Sequence, residues 1–513
     1  MAVYRLNING KEVTGLPGQT ILDVAKANGI EIPTLCYDER IKIYGACGLC
    51  VVEVEGNPKL LRSCATEIAD GMVVHTNTER VKGSRKVALE LLLSDHLGDC
   101  RPPCHLACPA NLDIQGYVGL IANDQPREAL EVIKDRLPLP ASIGRVCPHP
   151  CEDACRRQLV EEPISICWLK QFAADVDLDS GDVYLPEIKD PTGKRVAVIG
   201  GGPAGLTVSY YLAKEGHEVV IYEAMPKAGG MLRYGIPQYR LPKEVLDQEI
   251  EIIENMGVAI KTNTKIGRDV TFDFLRNNYD VVYIAIGAWT SSGMRCSGED
   301  MEGVLGGIEF LEDIALNKTV KLGNKVAVVG GGNTAMDACR TAVRLGAEEV
   351  HLLYRRTRAE MPAADIEVIE AEEEGVIFHF LVAPIEIIGE DGKAVKIKLQ
   401  QMELGEPDAS GRRRPVPIPG AEEIIDVDNI IAAIGQQVVP DGLNGVKLTK
   451  WNTIVADEYT YMTNIPGVFA GGDAINEGPG IAVEAIGDAR RAADVINSYL
   501  NGEVIPYKEP YYA

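Results

Sequence analysis

The 513-residue sequence lacks the features of a membrane-spanning or nucleic-acid-binding protein. No apolar run approaches the ~20 residues that a membrane helix needs, and residues 1–10 alternate like a strand where a signal peptide would have a long apolar core. Positive charge is also scarce, because 51 Lys and Arg stand against 75 Asp and Glu, a net charge of −24. Such an acidic chain is poorly suited to nucleic acid or an anionic membrane. We therefore expect a cytoplasmic protein.

Cysteine, in contrast, is concentrated in one part of the sequence. Eleven of the 13 cysteines fall between Cys36 and Cys167, while Cys296 and Cys339 stand apart and are expected to be buried apolar side chains. Cytosolic thiols stay reduced, so a dense cysteine group there is more typical of metal ligation than of disulfides. The cysteine-rich part of the chain therefore predicts metal centres.

The first four cysteines follow a segment with strand and helix signals. Residues 4–13 indicate a β-hairpin, and residues 20–29 have helical spacing that ends in a glycine. The glycine-rich loop at residues 44–50 lets the backbone approach inorganic sulfide, and four thiolates are the usual count for a [2Fe–2S] centre. A zinc site is the alternative, since it shares the Cys-x-x-Cys spacing. The candidate ligands are Cys36, Cys47, Cys50 and Cys64.

This arrangement resembles the N-terminal [2Fe–2S] module of hydrogenase and respiratory NADH dehydrogenase electron-transfer subunits. The resemblance implies a β-grasp, ferredoxin-like domain at residues 1–80. A helix predicted over residues 82–96 then leads the chain away from this domain.

The remaining cysteines of this region lie on both sides of a stretch with helical spacing, residues 111–135. Their layout resembles the double-[4Fe–4S] helical domain of glutamate synthase small subunits and dihydropyrimidine dehydrogenase. The resemblance implies such a domain at residues 81–188, with ligands interleaved between the two groups. One cluster would then take Cys100, Cys104 and Cys155, and the other Cys108, Cys147 and Cys151.

Each of these clusters needs a fourth ligand, and here the sequence departs from the family. Where the family has a leading cysteine this chain has His96, which resembles the histidine ligand of a respiratory NADH dehydrogenase cluster; an exposed histidine at a helix end is the alternative. The last family ligand is often Gln or Glu, but the aligned residue is Lys170, which ligates poorly while protonated. Cys167 lies on the same helical face, so we assign it instead.

The second half of the sequence contains two glycine-rich nucleotide fingerprints. In the first, an apolar strand runs into a Gly-x-Gly-x-x-Gly turn, a helix follows, and the next strand ends in a glutamate. The glycines let a pyrophosphate reach the helix N-terminus, where amides and dipole offset its charge, and the carboxylate suits the adenosine ribose. The residues predicted to bind a dinucleotide here are Gly200, Gly202, Pro203, Ala204, Gly205 and Glu223.

The second fingerprint ends differently, because two arginines follow its second strand. A carboxylate at that point would suit NAD, whereas arginines suit the 2′-phosphate of NADP through charge-assisted hydrogen bonds. The alternative is that both arginines face solvent. The residues predicted to bind NADP(H) are Gly330, Gly332, Asn333, Thr334, Arg355 and Arg356.

Further segments complete a pattern that resembles the flavoproteins with two dinucleotide-binding domains. These are strand-then-glycine crossings at residues 283–288 and 430–435, an apolar strand that ends in aspartate, and a helix opening at residues 480–484. The run at residues 229–237 ties the chain to the glutamate synthase small subunit branch. The resemblance implies an FAD domain at residues 189–305 and 430–513 and an NADP(H) domain at residues 306–429. It adds as flavin-site candidates Gly230, Arg233, Gly287, Gly472, Asp473 and Ala482.

We therefore expect an α/β fold with two Rossmann-like domains, preceded by the helical double-[4Fe–4S] domain and the β-grasp domain. The implied cofactors are FAD, NADP(H), one [2Fe–2S] and two [4Fe–4S] clusters. A flavin accepts hydride and releases single electrons, so it would link the nicotinamide to the clusters. Hydride transfer requires no acid–base residue, and no catalytic residue is assigned.

The sequence has no amidotransferase domain, FMN-binding barrel, hydrogenase domain or molybdopterin domain, so we expect the electron acceptor on another chain. The predicted function is the NADP(H)-handling subunit of a cytosolic complex, an electron-bifurcating NADH/ferredoxin:NADP transhydrogenase. Its partners would be NADH-binding flavin/iron–sulfur subunits and, indirectly, ferredoxin. The alternatives are an electron-entry subunit of a glutamate synthase, hydrogenase or formate dehydrogenase, and a non-catalytic iron–sulfur scaffold, against which the intact FAD motifs count.

Overall fold

The computed structural model describes residues 3–94, 101–408, 411–475 and 480–503. The chain divides into two compact units, Met1–Pro103 with Gln115–Gln125 and Cys104–Ile114 with Pro126–Ala513. Within the described ranges, no helix is both long and apolar enough to cross a membrane. The four domain boundaries given above stay a prediction.

The first unit is built around a five-stranded sheet in the order β2-β1-β5-β3-β4. The predicted hairpin is confirmed, and Asn9 and Gly10 make its tight turn with positive φ angles of 54° and 86°. The predicted first helix is confirmed as well: the Thr20 hydroxyl caps it by accepting from the Asp23 amide. The elements are β1 (Tyr4–Ile8), β2 (Lys11–Gly15), α1 (Ile21–Ala27), β3 (Val51–Val54), β4 (Leu61–Arg62), β5 (Val73–His75) and α2 (Glu79–Ser94).

The next segment is a set of short helices. The predicted helical stretch at residues 111–135 is two helices, because Asp124 adopts a left-handed φ of 59° and Pro126 opens a new helix. Further on, the buried Glu249 side chain accepts from the amides of Ala141 and Ser142, which anchors the start of the helix at residues 140–146 to the rest of the second unit. The helices are α3 (Pro103–Ala107), α4 (Ile114–Ile121), α5 (Pro126–Lys134), α6 (Pro140–Val146), α7 (Pro150–Asp153) and α8 (Ile166–Leu178).

A parallel sheet follows, which contains the first glycine fingerprint. Its central strands are buried apolar runs, as expected for a sheet covered on both faces. Its elements are β6 (Arg195–Ile199), α9 (Pro203–Lys214), β7 (Glu218–Tyr222), α10 (Met231–Tyr234), α11 (Lys243–Asn255), β8 (Ala259–Lys261), α12 (Phe272–Asn278) and β9 (Val281–Ile284).

The chain then crosses to a second parallel sheet, which contains the second fingerprint, and to a three-stranded antiparallel sheet beside it. The parallel sheet has the order β11-β18-β12-β13-β14, and the antiparallel sheet the order β15-β16-β17. The elements are β10 (Thr290–Ser291), β11 (Val304–Gly306), α13 (Gly307–Ala315), β12 (Lys325–Val329), α14 (Asn333–Arg344), β13 (Glu349–Tyr354), α15 (Asp365–Glu373), β14 (Ile377–Phe380), β15 (Val382–Glu390), β16 (Lys393–Pro407), β17 (Arg413–Asp426), β18 (Asn429–Ala432) and β19 (Gln436–Gln437).

The chain finally returns to the first parallel sheet through β20 (Val468–Ala470) and α16 (Ala482–Leu500). This completes the order β20-β9-β6-β7-β8, and the outgoing and returning crossings pair as the short ribbon β10-β19. Both glycine fingerprints therefore lie at the carboxyl ends of parallel strands, where doubly wound sheets bind their ligands.

Candidate cofactor sites

A cavity of about 610 Å³ lies at the carboxyl ends of the first parallel sheet. This volume is in the range of cofactor pockets. Its wall combines residues of the first sheet, of helix α14 and of the helical cysteine segment. The predicted dinucleotide residues that line it are Gly200, Gly202, Pro203, Ala204, Glu223, Gly230, Gly287, Asp473, Ala482, Asn333 and Thr334.

The first glycine turn has no room for side chains. Gly200 has a φ of 103°, and a Cβ there would lie 2.4 Å from the carbonyl oxygen of Ala285. A Cβ on Gly205 would lie 1.9 Å from the Gly200 carbonyl oxygen, so only glycine lets α9 pack this closely on β6. The turn thus leaves backbone amides at the start of α9 facing the cavity, a suitable cradle for a pyrophosphate.

The Glu223 carboxylate holds the same turn from the neighbouring strand. It is buried and accepts hydrogen bonds of 2.7 Å from the amides of both Gly201 and Met225. Burial raises the pKa of this carboxyl group in spite of those bonds. Glu223 therefore braces the glycine turn, and it lines the cavity where a ribose hydroxyl would need an acceptor.

Two residues predicted for the flavin site, Arg233 and Gly472, do not line the cavity but contact residues close to its wall. The Arg233 guanidinium is buried, donates to the Ala228 carbonyl at 2.6 Å and pairs with Asp247. Gly472 has a φ of 68° and packs against Ala204. Asp473, next to it, does line the cavity, and burial raises its pKa.

The second glycine turn repeats the geometry of the first. A Cβ on Gly330 would lie 2.2 Å from the Ala433 carbonyl oxygen, which again forces a glycine where the strand meets the helix. Asn333 begins α14 and accepts from the Ala364 amide at 3.0 Å through its side-chain oxygen. Gly330 and Gly332 lie behind the cavity wall, whereas the first residues of α14 form part of it.

The two arginines after β13 differ in their surroundings. Arg356 is buried, pairs with Asp408 at 2.7 Å and donates to the Arg413 carbonyl at 2.7 Å. Arg355 is exposed at the strand end. One guanidinium is therefore already engaged by the protein and the other faces solvent, and the binding of NADP(H) by both arginines stays a prediction.

The cavity also contains an ion pair that sequence reasoning missed. Arg240 comes from the first-sheet part of the chain and pairs with Asp337 on α14 at 2.8 Å and with Glu367 at 2.7 Å. Burial raises the pKa of Asp337 to about 6 even beside this arginine. Asp337 lies one helical turn after Asn333, so its position on the cavity side of α14 was readable, but its distant partner was not.

In the first unit, the four predicted [2Fe–2S] ligands lie together. The Cys47 amide is 3.5 Å from the Cys36 sulfur, and the sulfurs of Cys50 and Cys64 are 3.3 Å apart. Burial raises the pKa of the Cys64 thiol to about 12. Arg85 on α2 is close to this set, with its guanidinium donating to the Val51 carbonyl at 2.8 Å. Four convergent thiols suit an iron–sulfur centre.

In the second unit, the thiols of Cys108, Cys147, Cys151 and Cys167 form another set. Gly144 lets α6 and α8 touch, since a Cβ there would lie 2.6 Å from the Gln171 Cβ. This contact brings the end of α6 to the start of α8, where the Cys167 thiol donates to the Gly144 carbonyl at 3.2 Å. Cys167 also lies close enough to Cys147 to lower the pKa of the Cys147 thiol to about 6. Cys147 also lines the 610 Å³ cavity.

Lys170 is buried beside this second thiol set. Burial lowers the pKa of its ammonium group, but the charges of the four thiols raise it by more, and Cys167 contributes most among them. The sequence had singled out Lys170 only as a poor ligand.

For the other predicted [4Fe–4S] cluster, the structure describes two of the four predicted ligands, Cys104 and Cys155. Cys155 lies close enough to Cys104 to act on it electrostatically, and Cys104 is also close to Cys108 of the second set. The two remaining predicted ligands, His96 and Cys100, lie outside the described residues. Within the described ranges, no group of three or more His, Cys, Asp or Glu converges as a single metal ion requires.

Helix α16 connects the cavity to the second thiol set. Its first residue lines the cavity, and Gly487 lies so close to the Cys108-Pro109 loop that a Cβ would be 2.4 Å from the Pro109 carbonyl oxygen. The Arg491 side chain donates to the same oxygen at 3.3 Å and to the Tyr461 hydroxyl at 2.7 Å. The thiol loop therefore rests on the helix whose start borders the cavity.

The comparisons with known proteins agree with this arrangement. The profile of the pyridine nucleotide-disulphide oxidoreductase family matches residues 194–489, more than half of the chain. The chain belongs to this family. In this oxidoreductase, a 2Fe-2S iron-sulfur cluster binding domain also matches at residues 3–79, and the 4Fe-4S cluster domain II of dihydropyrimidine dehydrogenase at residues 95–181. The predicted fold class is confirmed, and these families agree with the predicted set of cofactors.

Individual relatives share most of the oxidoreductase. The NADP(+)-dependent formate dehydrogenase subunit beta of Moorella thermoacetica is 46% identical over 78% of this chain and 60% of its own length. The small chain of Escherichia coli glutamate synthase [NADPH] is 36% identical over 78% of this chain and 89% of its own length. The chain therefore spans only about three fifths of the first of these relatives.

A solved structure supports the fold alone. Mycobacterium tuberculosis FprA in complex with NADPH is similar with a TM-score of 0.54 and 19% sequence identity, over 60% of this chain and 85% of that chain. The match agrees with the arrangement of two dinucleotide-binding sheets in the oxidoreductase.

We expect Glu223→Ala to weaken FAD binding about 10- to 100-fold, since hydrogen bonds to a charged group contribute about 1.5–3 kcal/mol and each ~1.4 kcal/mol is a tenfold change. The measurement is a titration of the apoprotein with FAD. Glu218→Ala is the control, because Glu218 is exposed at the other end of the same strand. Equal FAD affinity in the two variants would contradict the role of Glu223.

Proposed function

We propose that this chain is the NADP(H)-handling electron-transfer subunit of a cytoplasmic multi-subunit oxidoreductase, with FAD, two [4Fe–4S] clusters and one [2Fe–2S] cluster. The observation that carries the proposal is the position of Cys147. This thiol belongs to a set of four and also lines the cavity of the first glycine turn. A flavin in that cavity would accept the hydride of NADPH and pass on its two electrons singly, which is the form that clusters accept.

Different residues of the chain bind different parts of the two cofactors. In this proposal the glycine turn and the start of α9 hold the FAD pyrophosphate, Glu223 accepts from the ribose, and Asp473 together with the first turn of α16 orients the flavin from the other side of the cavity. Asn333 and Thr334 at the start of α14 bring the nicotinamide nucleotide to the same cavity.

We propose an order for the clusters, in which only the thiol sets of the second unit are ordered by their proximity to the cavity. The set of Cys108, Cys147, Cys151 and Cys167 borders the cavity and would hold the first [4Fe–4S] cluster. Cys104 lies near Cys108, so the set with Cys104 and Cys155, completed by His96 and Cys100, would hold the next. The thiols of Cys36, Cys47, Cys50 and Cys64 would hold the [2Fe–2S] centre, from which electrons pass to a partner subunit or arrive from one.

Two complexes are the leading candidates for the partner. The electron-bifurcating NADH/ferredoxin:NADP transhydrogenase fits the N-terminal [2Fe–2S] module and the NADP(H) site. A formate dehydrogenase fits the 46% identity to a subunit named for that enzyme. Co-purification of the native complex separates them: formate-dependent NADP reduction indicates the second, and NADP reduction that requires both NADH and reduced ferredoxin indicates the first.

The electron path is tested with Cys147→Ser in anaerobically purified protein. We expect NADPH to bleach the flavin absorbance in the wild type and to produce the electron paramagnetic resonance signals of reduced clusters. In the variant, bleaching should remain while cluster reduction falls at least tenfold, because the set bordering the cavity loses a ligand. Cys296→Ser is the control, since Cys296 lies outside all thiol sets. Flavin that does not respond to NADPH would overturn the proposal.

The coenzyme preference is tested at Arg355. We expect Arg355→Ala to raise the KM for NADPH about tenfold or more and to leave the KM for NADH almost unchanged, because an exposed guanidinium at the strand end is available to a 2′-phosphate. Steady-state reduction of ferricyanide measures both constants. Lys325→Ala is the control, since Lys325 lies at the opposite end of the sheet. An equal loss for both coenzymes would reject the assignment.

A further inference from the structure

Two lysines of the second unit are buried to nearly the same extent but differ in the chemistry of their neighbours. Lys170 on α8 is 4% exposed and Lys134 on α5 is 3% exposed. Burial lowers the pKa of Lys134, in spite of Glu249 and Asp177 nearby. Lys170, in contrast, is buried on the face of α8 that carries Cys167, and its nearest charged neighbours are thiols. Burial of an ammonium group is costly unless a negative charge offsets it, so a buried Lys170 requires negatively charged neighbours.

The partners of Lys170 are the candidate cluster ligands. The four strongest charges that act on it belong to Cys167, Cys147, Cys108 and Cys151, and no carboxylate is among them. Lys170 follows Cys167 by three residues on α8 and therefore lies on the same helical face. The Cys167 amide is held in turn by the Glu152 carboxylate at 2.7 Å, which fixes the start of the helix.

We propose that Lys170 is a positioning residue that raises the reduction potential of the cluster held by Cys108, Cys147, Cys151 and Cys167, an inference that rests on the proposed function. Reduction adds one electron and no proton to an already negative group, and the electron comes from NADPH through the flavin. A fixed positive charge in a dry environment stabilises the more negative state. Net charge and solvent exposure are the quantities that set cluster potentials.

The position of Lys170 beside the cluster nearest to the cavity favours electron transfer from the flavin to that cluster. Cys147 borders the flavin cavity, so the cluster nearest to the flavin would be the one with the buried cation. A raised potential makes this cluster a favourable first acceptor of single electrons. In the families that the helical segment resembles, the aligned position often carries a Gln or Glu ligand, and here Cys167 takes that role and leaves residue 170 to supply charge.

The test is Lys170→Met in the full-length chain, with potentials measured by an anaerobic titration followed by electron paramagnetic resonance. Removal of the charge should lower the midpoint potential of one [4Fe–4S] cluster by at least ~59 mV, the equivalent of a tenfold change for a one-electron couple. At a fixed NADPH/NADP ratio, the ratio of reduced to oxidised cluster should fall at least tenfold. Lys170→Arg, which keeps the charge, should retain most of the wild-type potential.

Lys134→Met is the matched control, because it removes an equally buried ammonium whose charged neighbours are Glu249, Asp177 and Arg127 and include no thiol among them. Its cluster potentials should equal those of the wild type. If Lys170→Met fails to hold a full complement of iron and sulfide, Lys170→Leu replaces it as the neutral variant. Failure of both neutral variants while Lys170→Arg assembles normally would overturn the role in potential and assign Lys170 to cluster assembly.

The outcomes separate the inference from the proposed function. Wild-type protein without [4Fe–4S] clusters or without NADPH-dependent reduction would contradict the proposed function itself. Normal clusters whose potentials are the same in the wild type and in a loaded neutral variant would overturn the role of Lys170 and leave the proposed function intact.

Discussion

The close contact between helix α16 and the Cys108-Pro109 loop is the constraint on which the second unit depends. Gly487 is required there because any side chain would meet the Pro109 carbonyl oxygen. The same helix begins at the wall of the 610 Å³ cavity, so one rigid element positions both the cavity and a thiol loop. Together with the Gly144 contact between α6 and α8, this places the Cys147 sulfur at the cavity itself.

Glycine has the same physical role at both nucleotide fingerprints. In each parallel sheet, the glycine that ends the first strand approaches a backbone carbonyl so closely that a Cβ cannot fit. The helix that follows can then begin directly at the strand end, with its free amides turned outward. The two sheets differ in what surrounds this common turn: Glu223 beside the first, and a buried Arg356 with an exposed Arg355 beside the second.

Three cations that lie wholly or partly inside the protein stand near the candidate sites of a chain whose net charge is −24. Arg240 joins the two dinucleotide-binding parts of the chain through Asp337 and Glu367. Arg85 lies near the thiols of the first unit, and Lys170 lies among the thiols of the second. Since an unpaired buried charge is costly, Arg240 and Lys170 both indicate a negative charge nearby: carboxylates for Arg240, and sulfur ligands for Lys170.

Much of the fold and of the candidate sites follows from local sequence signals. The hairpin at Asn9-Gly10, the Thr20 cap and the strand–glycine–helix turns depend on residues close together in the chain, and the structure contains all of them. The helical spacing over residues 111–135 is confirmed as two helices, and the sequence did not show the division between them, which lies at the left-handed Asp124 and Pro126. The ligand set of the clusters stays a prediction, with His96 and Cys100 outside the described residues.

By itself the sequence determined the class of chemistry. Metal ligation by closely spaced cysteines and pyrophosphate binding at a glycine turn both depend on residues that are close together in the chain. Only the tertiary structure decided which side chains meet. It paired Arg356 with Asp408 and left Arg355 exposed. It also joined Arg240 to Asp337, almost a hundred residues away, and placed Lys170 near four thiols. These contacts depend on how helices and sheets that are far apart in the sequence pack against each other. A local sequence pattern does not specify that packing.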